Sequence, residues 1–401
     1  MLRALQVFWL PSAYRLRSLV VLTSAILLAG CSGKLGDLLS SSSSPSAPAQ
    51  PATNIGSGAV KVGLILPLSG NGNAAVAAKS MRNAAEMALT EFNSPDIQLL
   101  VKDDGGSAAG AQQAAQQVLD EGAEIILGPL FALTVTPVGQ LARARNVPVI
   151  AFSTDANVAA HGVYLLSFLP ESDVERIISY AASQGRRSFA ALVPDNAYGT
   201  VAEAAFKQAV ARRGGRVVVL EHYPLDKAAM AGPVRNVAQA ATHADAIFIP
   251  DGADAVATAV STLAASGFDI KRVQLLGSGL WEDAQIFSNS QLEGAWYAGP
   301  EGTGFRSFSG RYRGRYGQDP VRTASLAYDA VALVAALAKT QGKARFAEET
   351  LTNSSGFAGI DGLFRFRPDG TNQRGLAVLR VTSAGGQVIN PPPKTFTGSG
   401  T

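Results

Sequence analysis

VKVGLILPLSGNGNAAVAAKSMRNAAEMALTEF, residues Val60 to Phe92, contains an apolar strand pattern, a glycine-rich turn and an amphipathic helix in succession. Val60 to Leu66 is a short run of Val, Ile and Leu, which is typical of a parallel strand covered on both faces. From Ala74 to Phe92, small and apolar residues recur at three- and four-residue spacing, which indicates a helix with one packed face. The stretch therefore predicts one β-turn-α unit.

The turn of this unit is the first candidate binding site. Ser69, Asn71 and Asn73 lie between the predicted strand and the predicted helix. The carboxyl end of a strand is where an α/β sheet places its ligands, and free N–H groups at a helix start can hold an anion. We therefore expect Ser69 and Asn71 to contact a ligand.

The same alternation of strand and helix patterns continues along the chain, and it predicts an α/β fold with two doubly wound parallel-sheet lobes. The predicted strands after the first cover residues 97–104, 123–129, 147–153, 188–195, 216–223, 246–252 and 273–279. The predicted helices cover residues 108–121, 133–145, 173–184, 200–213, 234–241, 253–265, 305–316 and 324–339. Two final apolar runs, LFRFRP (363–368) and LAVLRV (376–381), are joined by polar residues that include Asp369-Gly370, and they predict an antiparallel hairpin.

Length and charge limit the function. A chain of 401 residues with 47% hydrophobic content has enough apolar material for two cores. Of its 34 basic residues, three are Arg3, Arg15 and Arg17 in the acid-free first 30 residues, which leaves 31 basic residues against 31 acidic ones. Such a balanced body argues against a nucleic-acid partner, which requires clustered positive charge.

The two ends are typical of an exported protein. Residues 1–30 combine a basic start with a short apolar run, which predicts a signal peptide, and Leu28-Ala29-Gly30-Cys31 resembles the bacterial lipobox. Cys31, the only cysteine, is thus expected to carry lipid that anchors the protein to a membrane. Residues 31–57 are rich in Ser and Pro and are expected to form a tether, and residues 391–401 are expected to be a disordered tail.

Motifs for catalysis are weak or missing. Residues 70–75 fit a loose G-x-G-x-x-A nucleotide pattern, but no acid follows at the distance that a ribose ligand requires. No G-x-S-x-G motif occurs, and His161, His222 and His243 have no neighbour at metal-ligand spacing. Asp103-Asp104 is interpreted as an acidic turn that caps the next helix. In residues 305–316 the aromatic side chains share one helical face, which indicates core packing with solvated arginines. We therefore expect a non-enzymatic protein with no cofactor and no metal.

Several segments together resemble the type I periplasmic binding proteins of the Leu/Ile/Val-binding branch, over residues 58–390. The resemblance is carried by VGLILPLSG, GPLFALTVTPVGQLARARNVPVIAFST, DNAYGTVAEAAF, AYDAVALVAALA and GIDGLFRFRPDG. It implies two lobes joined by three crossovers, near Phe168 to Glu171, Ala298 to Gly302 and Asn353 to Phe357. Lobe 1 would then comprise residues 58–168 and 302–353, and lobe 2 residues 169–301 and 354–390.

The resemblance also implies that a small polar ligand binds in the cleft between the lobes. Tyr198 is the strongest candidate, because Tyr-Gly before a helix is typical of the family. The positions that match the family's ligand contacts are Ser69, Asn71, Phe131, Ser153, Thr154, Asp155, Tyr198, Asp251, Ser278 and Trp281.

Departures from the family pattern keep the function open. Amino-acid binders usually have Ser where Ala132 stands, Thr where Asp155 stands, and an acid within Gly277 to Leu280. We therefore expect no micromolar binding of leucine, isoleucine or valine. The PLSG turn and the RNAAEMAL helix look more like the penicillin-binding protein activator lipoproteins, which regulate peptidoglycan synthesis.

Three hypotheses follow from the sequence. The first is an activator-like lipoprotein in the periplasm, anchored preferentially to the outer membrane, whose partner is a penicillin-binding protein or a wall fragment. The second is the substrate-binding lipoprotein of an amino-acid ABC importer, whose partner is a permease. The third and most distant is a nucleotide-dependent enzyme. Fold alone does not choose among them.

Overall fold

The structure is a computed structural model that describes residues 54–92, 96–224, 226 and 228–396. The expected signal peptide, Cys31 and most of the expected tether lie outside the described residues. None of the described helices is long and apolar enough to cross a lipid bilayer.

The described chain alternates strands and helices as the sequence predicts. Its first elements are β1 (Val60–Leu66), α1 (Asn73–Glu91), β2 (Ile97–Asp103), α2 (Ala108–Asp120), β3 (Ile125–Leu127), α3 (Ala132–Ala144), β4 (Val149–Ala151) and β5 (Val163–Leu165). There follow α4 (Pro170–Ser183), β6 (Ser188–Pro194), α5 (Ala197–Arg212), β7 (Arg216–Tyr223), α6 (Ala231–Ala240), β8 (Ala246–Phe248), α7 (Ala253–Ala265), β9 (Gln274–Gly277), α8 (Ala284–Ser288) and β10 (Trp296–Gly299). The last elements are α9 (Gly302–Tyr316), α10 (Ala324–Thr340), α11 (Glu348–Leu351), β11 (Phe357–Gly359), β12 (Gly362–Phe366), β13 (Asn372–Arg374), β14 (Ala377–Thr382) and β15 (Gly385–Asn390).

The first lobe is a five-stranded parallel sheet in the order β2-β1-β3-β4-β5. Side chains of α1 and α10 pack on one face of this sheet, and side chains of α2 and α3 pack on the other. Both faces are therefore covered by helices, which explains the continuous apolar pattern of β1. The predicted core face of residues 305–316 is confirmed, because Phe308 and Tyr312 are fully buried against α1.

The second lobe is a seven-stranded sheet in the order β15-β14-β10-β9-β8-β6-β7. Strands β6 to β10 are parallel to one another, while β14 is antiparallel to β10 and β15 is antiparallel to β14. Helices α4 and α5 contribute to the core on one face, and α6 and α7 to the core on the other. The prediction of an α/β fold with two doubly wound, mainly parallel lobes is confirmed.

The chain crosses between the lobes in three places. It leaves the first lobe after β5 and re-enters it between β10 and α9, close to the first two expected positions. We expected the third crossing at Asn353 to Phe357, but strands β11 to β13 form a separate antiparallel sheet. Phe364 and Phe366 of that sheet are buried in the core of the first lobe. The third crossing therefore lies between Arg374 and Ala377.

The predicted hairpin of residues 363–368 and 376–381 is wrong for the same reason. The turn at Asp369-Gly370 joins β12 to β13, and Phe364 of β12 pairs with Arg374 of β13. The second apolar run instead forms β14, which pairs with β10 and β15 in the other lobe. Two adjacent strand patterns thus serve two different sheets.

The described residues of the expected tether and of the expected disordered tail are packed against the body of the protein. Ile55 exchanges backbone hydrogen bonds with Leu99 of β2, with N···O distances of 3.0 and 2.8 Å. Phe396 is only 5% exposed, and the guanidinium of Arg365 lies 4.7 Å from the centre of its ring. The structured body therefore extends to residues 54 and 396, beyond the boundaries expected from composition.

Candidate functional site

The predicted site residues lie at the carboxyl ends of strands in both sheets. In the first lobe, Ser69 and Asn71 follow β1, Phe131 follows β3, and Ser153 to Asp155 follow β4. In the second lobe, Tyr198 follows β6, Asp251 follows β8, and Ser278 follows β9. Glu171 at the start of the second lobe lies close enough to Asp155 of the first for their charges to interact. The two carboxyl edges thus approach each other beside the first crossing.

The turn after β1 is shaped by the carboxylate of Asp103. The Ser69 N–H donates to Asp103 Oδ2 at 3.1 Å, and the Gly105 N–H donates to Asp103 Oδ1 at 2.9 Å. Ser69 and Asn71 are exposed at the tip of this turn. Asp103 therefore holds the backbone of the turn and leaves those two polar side chains open to a ligand.

The expected capping role of Asp103 and Asp104 needs a correction. The residue that caps α2 is Ser107, whose hydroxyl accepts a hydrogen bond from the Gly110 N–H at 3.1 Å. Asp104 is fully buried, and its Oδ1 accepts from the Gly106 N–H at 2.8 Å. Burial raises the pKa of Asp104 to about 6.

The segment after β4 uses its polar groups on its own backbone. The buried Ser153 hydroxyl accepts from the Asp155 N–H at 3.1 Å, and Asp155 Oδ1 accepts from the Asn157 N–H at 2.9 Å. Thr154 between them is exposed, and Phe131 on the neighbouring loop is half-buried. The first lobe therefore presents short polar groups, one aromatic ring and the carboxylate of Asp155.

Tyr198 is placed by the way α5 begins. The Asn196 side chain caps the helix by accepting from the Gly199 N–H at 2.8 Å. At Gly199, a Cβ atom would stand 1.8 Å from the Pro194 carbonyl oxygen, so the chain needs glycine there to turn from β6 into α5. This close approach gives a physical reason for the Tyr-Gly pattern. The Tyr198 hydroxyl then donates to Ser278 Oγ at 3.0 Å.

Asp251 belongs to the same edge of the second lobe. Its Oδ2 accepts from the Tyr223 hydroxyl at 2.7 Å, and its Oδ1 accepts from the Gly252 N–H at 2.7 Å. The side chain borders a cavity of about 400 Å³ that Tyr223, Met230 and Asp283 also line. Tyr198, Ser278 and Asp251 are therefore brought together in the second lobe.

Trp281 is not part of this surface. Its side chain is fully buried in the core of the second lobe, and its Nε1 donates to the Ile249 carbonyl at 3.1 Å. A Cβ atom at Gly277 would lie 2.1 Å from the indole, so the ring fills the space beside β9. The prediction that Trp281 contacts the ligand is wrong, because packing and its hydrogen bond already occupy the side chain.

Two acidic residues that we did not single out from the sequence lie beside Tyr198. Glu171 and Asp173 stand in the first turn of α4, directly after the first crossing. The Gly279 N–H donates to Asp173 Oδ2 at 2.8 Å, which ties α4 to the loop that carries Ser278. The signal in the sequence was the pair of acids in a first helical turn, which we assigned no role.

Burial and neighbouring charge shift the pKa values of this group. Burial raises the pKa of Asp173 to about 7, against the opposing effects of the Gly279 N–H and of two arginines, Arg374 and Arg322. Burial also raises the pKa of Tyr198, and the carboxyls of Asp173, Asp251 and Glu171 raise it further. The phenol therefore stays neutral, and the charges of three acidic side chains act on it.

Solved structures share this two-lobe architecture. A candidate branched-chain amino acid ABC transporter protein from Rhodospirillum rubrum superposes with a TM-score of 0.74 at 22% identity, covering 82% of this chain and 100% of that one. An ABC transporter substrate-binding protein from Desulfitobacterium hafniense in complex with leucine gives 0.62 at 18%, covering 82% and 99%. A solute-binding protein of Rhodopseudomonas palustris in complex with 3,4-dihydroxybenzoic acid gives 0.61 at 22%, covering 84% and 96%. At these identities the likeness concerns the fold.

A curated relative and a family profile extend the comparison to sequence. An uncharacterised protein of Rickettsia prowazekii is 21% identical over 178 residues, which are 44% of this chain and 47% of that protein. The chain thus spans about half the length of this curated relative. The profile of the periplasmic binding protein family matches residues 59–387. This match confirms the resemblance found in the sequence: the chain belongs to the periplasmic binding protein family.

Proposed function

We propose that the protein is the solute-binding component of an ABC importer and that its cleft takes a small organic ligand with a positively charged amine. Family membership and the structural neighbours support the first part. The observation that carries the second part is the pair of carboxyl groups near Tyr198, those of Asp251 and Glu171. A third nearby carboxyl, Asp173, accepts from the Gly279 N–H and interacts with Arg374 and Arg322, so it adds little net charge.

Six of the loops at the carboxyl ends of the strands have a one-sided charge. Loops 67–72, 128–132, 152–155, 195–199, 249–254 and 278–283 contain no lysine and no arginine. Their acidic residues are Asp155, Asp195, Asp251, Asp254, Glu282 and Asp283. A cleft with charge of one sign and low-dielectric walls concentrates ligands of the opposite sign. A ligand with net positive charge fits this surface better than a neutral or anionic one.

An organic cation fits better than a metal ion. The described residues hold no group of three or more His, Cys, Asp or Glu side chains arranged to bind one metal. The acids are instead distributed along the cleft, and one of them, Asp251, is already hydrogen-bonded to a tyrosine. Spread carboxylates beside aromatic rings suit ammonium groups, which bind both carboxylates and ring faces.

Apolar side chains at the cleft-facing ends of the lobes suggest that the ligand also has an apolar part. Val76 near the start of α1, Leu133 near the start of α3 and Leu280 after β9 are 56%, 54% and 46% exposed. Of the described large hydrophobic residues, only Val388 is comparably exposed elsewhere. A ligand with a hydrocarbon segment between charged ends would cover such groups.

The site differs from what a branched-chain amino acid would need. Ala132 at the start of α3 offers no hydroxyl to a ligand carboxylate, and Asp155 on the neighbouring loop would repel one. An unpaired buried charge costs at least about 1–3 kcal/mol, and about 1.4 kcal/mol is a tenfold loss in affinity. We therefore keep the prediction that leucine, isoleucine and valine do not bind at micromolar strength.

The remaining expectations from the sequence stay predictions. We propose that lipid attached at Cys31 anchors the protein in the periplasm. Family membership supports the periplasmic compartment but not the lipid anchor. The activator-like role in peptidoglycan synthesis rests on sequence motifs alone, and none of the three structural neighbours above is named for such a role. Absence of catalysis is likewise expected of a solute-binding protein.

Calorimetric titration tests the proposal with three probes. Putrescine serves as a diamine, leucine as a zwitterion and 3,4-dihydroxybenzoate as an anion. We expect binding of putrescine that is at least about tenfold tighter than that of either other probe, and weaker binding in high salt because charge contributes to it. If leucine or dihydroxybenzoate binds tightly, the solute-binding role stands but the proposal of a cationic ligand is wrong. Purification of the full chain in a stable complex with a wall synthase, with no solute bound, would reject the importer assignment.

A further inference from the structure

Arg374 is a buried arginine whose hydrogen bonds are incomplete. It ends β13 directly before the third crossing and is only 5% exposed. Its Nε donates to the Ser167 carbonyl at 2.9 Å, but Nη1 and Nη2 have no hydrogen-bond partner among the described residues. A buried charged group that lacks partners is costly, so another arrangement that supplies an acceptor would be favoured.

The ring of Phe168 holds this arginine at the first crossing. The Arg374 guanidinium lies 4.6 Å from the centre of the Phe168 ring, and the Arg322 guanidinium lies 4.9 Å from the same ring. Arg322 is paired, since its Nη1 donates to Asp361 Oδ2 at 2.9 Å. Ser325 also donates to that carboxylate, at 2.6 Å. Asp361 therefore already accepts from two other residues, although its charge also acts on Arg374.

Two further carboxyls interact with the charge of Arg374 and could accept from it. Asp329 Oδ1 accepts from the Ile360 N–H at 2.8 Å, and its Oδ2 is buried without a partner. Asp173 accepts from the Gly279 N–H and lies on α4. Asp329 and Arg374 both belong to elements packed on the first lobe, whereas Asp173 belongs to the second. If each lobe moves as a unit, the separation of Arg374 from Asp173 changes and its separation from Asp329 does not.

We propose that Asp173 and Arg374 form an ion pair between the lobes when the cleft closes, so that closure of the cleft completes the hydrogen bonds of the hinge. The idea goes beyond the proposed function and holds for any ligand that closes the cleft. Domain closure about a few crossing segments is an established kind of motion, and here the ion pair would stabilise the closed arrangement of the lobes.

The same pair connects the hinge to the cleft. Asp173 accepts from the Gly279 N–H, and the adjacent Ser278 accepts from the Tyr198 hydroxyl. A ligand that contacts Tyr198 would therefore act on the loop that Asp173 holds. Movement of this loop and formation of the pair would be linked through two hydrogen bonds.

The charges around the pair determine its dependence on pH. Asp173 interacts with Arg374, Arg322 and Tyr198, and Arg374 in turn interacts with Asp361, Asp329 and Arg322. In the described arrangement burial raises the pKa of Asp173 to about 7, and pairing with an arginine would lower it. The closed form thus binds fewer protons, so closure should be favoured as pH rises through about 7 and lost as it falls.

Distance measurements between spin labels test the proposal on the full chain. Cys31→Ser removes the only thiol, and Val76→Cys and Ala284→Cys place one label on each lobe at exposed positions near the cleft. We expect the population with the shorter distance to rise about threefold or more between pH values of about 5.5 and 8.5, with no ligand added. An unchanged distribution across this range would overturn the proposal.

Single and double variants in the labelled background identify the partners. Asp173→Asn and Arg374→Gln should each remove the pH-dependent shift, and the double variant should behave like either single one because both lose the same interaction. Asp329→Asn should retain the shift. If Asp329→Asn abolishes it and Asp173→Asn does not, the pair between the lobes is wrong. Far-ultraviolet circular dichroism checks that each variant folds. Asp173→Glu keeps the charge and should therefore retain part of the shift.

Discussion

The two edges of the cleft are held by hydrogen bonds of very different sequence separation. In the first lobe, the Asp155 N–H donates to Ser153, and the Asn157 N–H donates to Asp155, so each partner is two residues away. In the second lobe, Tyr198 and Ser278 are 80 residues apart, and Gly279 and Asp173 are 106 residues apart. The longest such bond at the first edge, from the Ser69 N–H to Asp103, spans 34 residues, so the first edge is fixed more locally than the second.

The two lobes therefore contribute different groups to ligand binding. The first lobe offers backbone groups and small polar side chains on turns that are held by residues two positions away or by Asp103 at the end of the neighbouring strand β2. The second lobe offers a phenol and carboxyls whose positions depend on one another across α4, α5 and the loop after β9. We therefore expect substitutions at the second edge to reduce binding more than substitutions at the first.

The largest expected effect is that of Tyr198→Ala. The change removes the ring that is expected to contact the ligand, and it also leaves the buried Ser278 hydroxyl without its donor, which lowers stability by about 1–3 kcal/mol. Putrescine affinity should fall about tenfold or more by calorimetry. Ser153→Ala, the matched change in the first lobe, should lower it by less than about threefold. Equal losses in both variants would contradict the contrast between the edges.

A smaller effect is expected of Asp251→Asn. The amide oxygen can accept from the Gly252 N–H while the amide NH2 donates to the Tyr223 hydroxyl oxygen, so the substitution removes charge and keeps both contacts. Putrescine affinity should fall about three- to tenfold, and the salt dependence of binding should weaken. Asp369→Asn, at the exposed turn after β12, is the control and should change neither quantity. If both variants bind alike, the second edge does not recognise charge.

The smallest effect concerns the first edge and is a change of stability. Asp104 is ionised less readily in the folded chain than in the unfolded one, since burial raises its pKa to about 6 from 3.8. The folded state therefore binds the extra proton between these values, and stability falls as pH rises through about 6. The midpoint of thermal unfolding of the unsubstituted protein should fall between pH values of about 5 and 8, and Asp104→Asn should make this fall smaller by about 1–3 °C. An unaltered pH profile in differential scanning calorimetry would contradict the assignment.

Local patterns in the sequence were enough for most elements, and long-range pairing was not. The expected strand Val60 to Leu66 has the same bounds in the structure, because its apolar run and its flanking Pro67 act locally. β5 and β10 were not predicted, although strands of the same length such as β3 and β9 were. The mistaken hairpin shows the limit, because adjacent runs give no sign that a crossing separates them.

The site could be predicted in part for the same reason. Tyr198 follows from a local pattern, a helix start with a glycine that approaches the preceding strand. Trp281 follows β9 as a ligand contact would, but its ring turns into the core, and only the packing of the folded lobe reveals that direction. Asp173 acquires significance from Gly279 and Arg374, which lie 106 and 201 positions away in the chain. No local reading of the sequence could have joined them.

The late entry of β12 into the first lobe has a consequence for how the protein is made. Phe364 and Phe366 complete a core whose first strands begin at residue 60, and Asn83 of α1 bonds to Tyr312 across 229 positions. During synthesis the second lobe emerges between these two halves, so the first lobe cannot close its core until almost the entire chain is present. Such widely separated contacts slow folding, because the closure entropy of a long loop precedes any gain from packing. The chain thus has a long interval in which it remains incompletely folded.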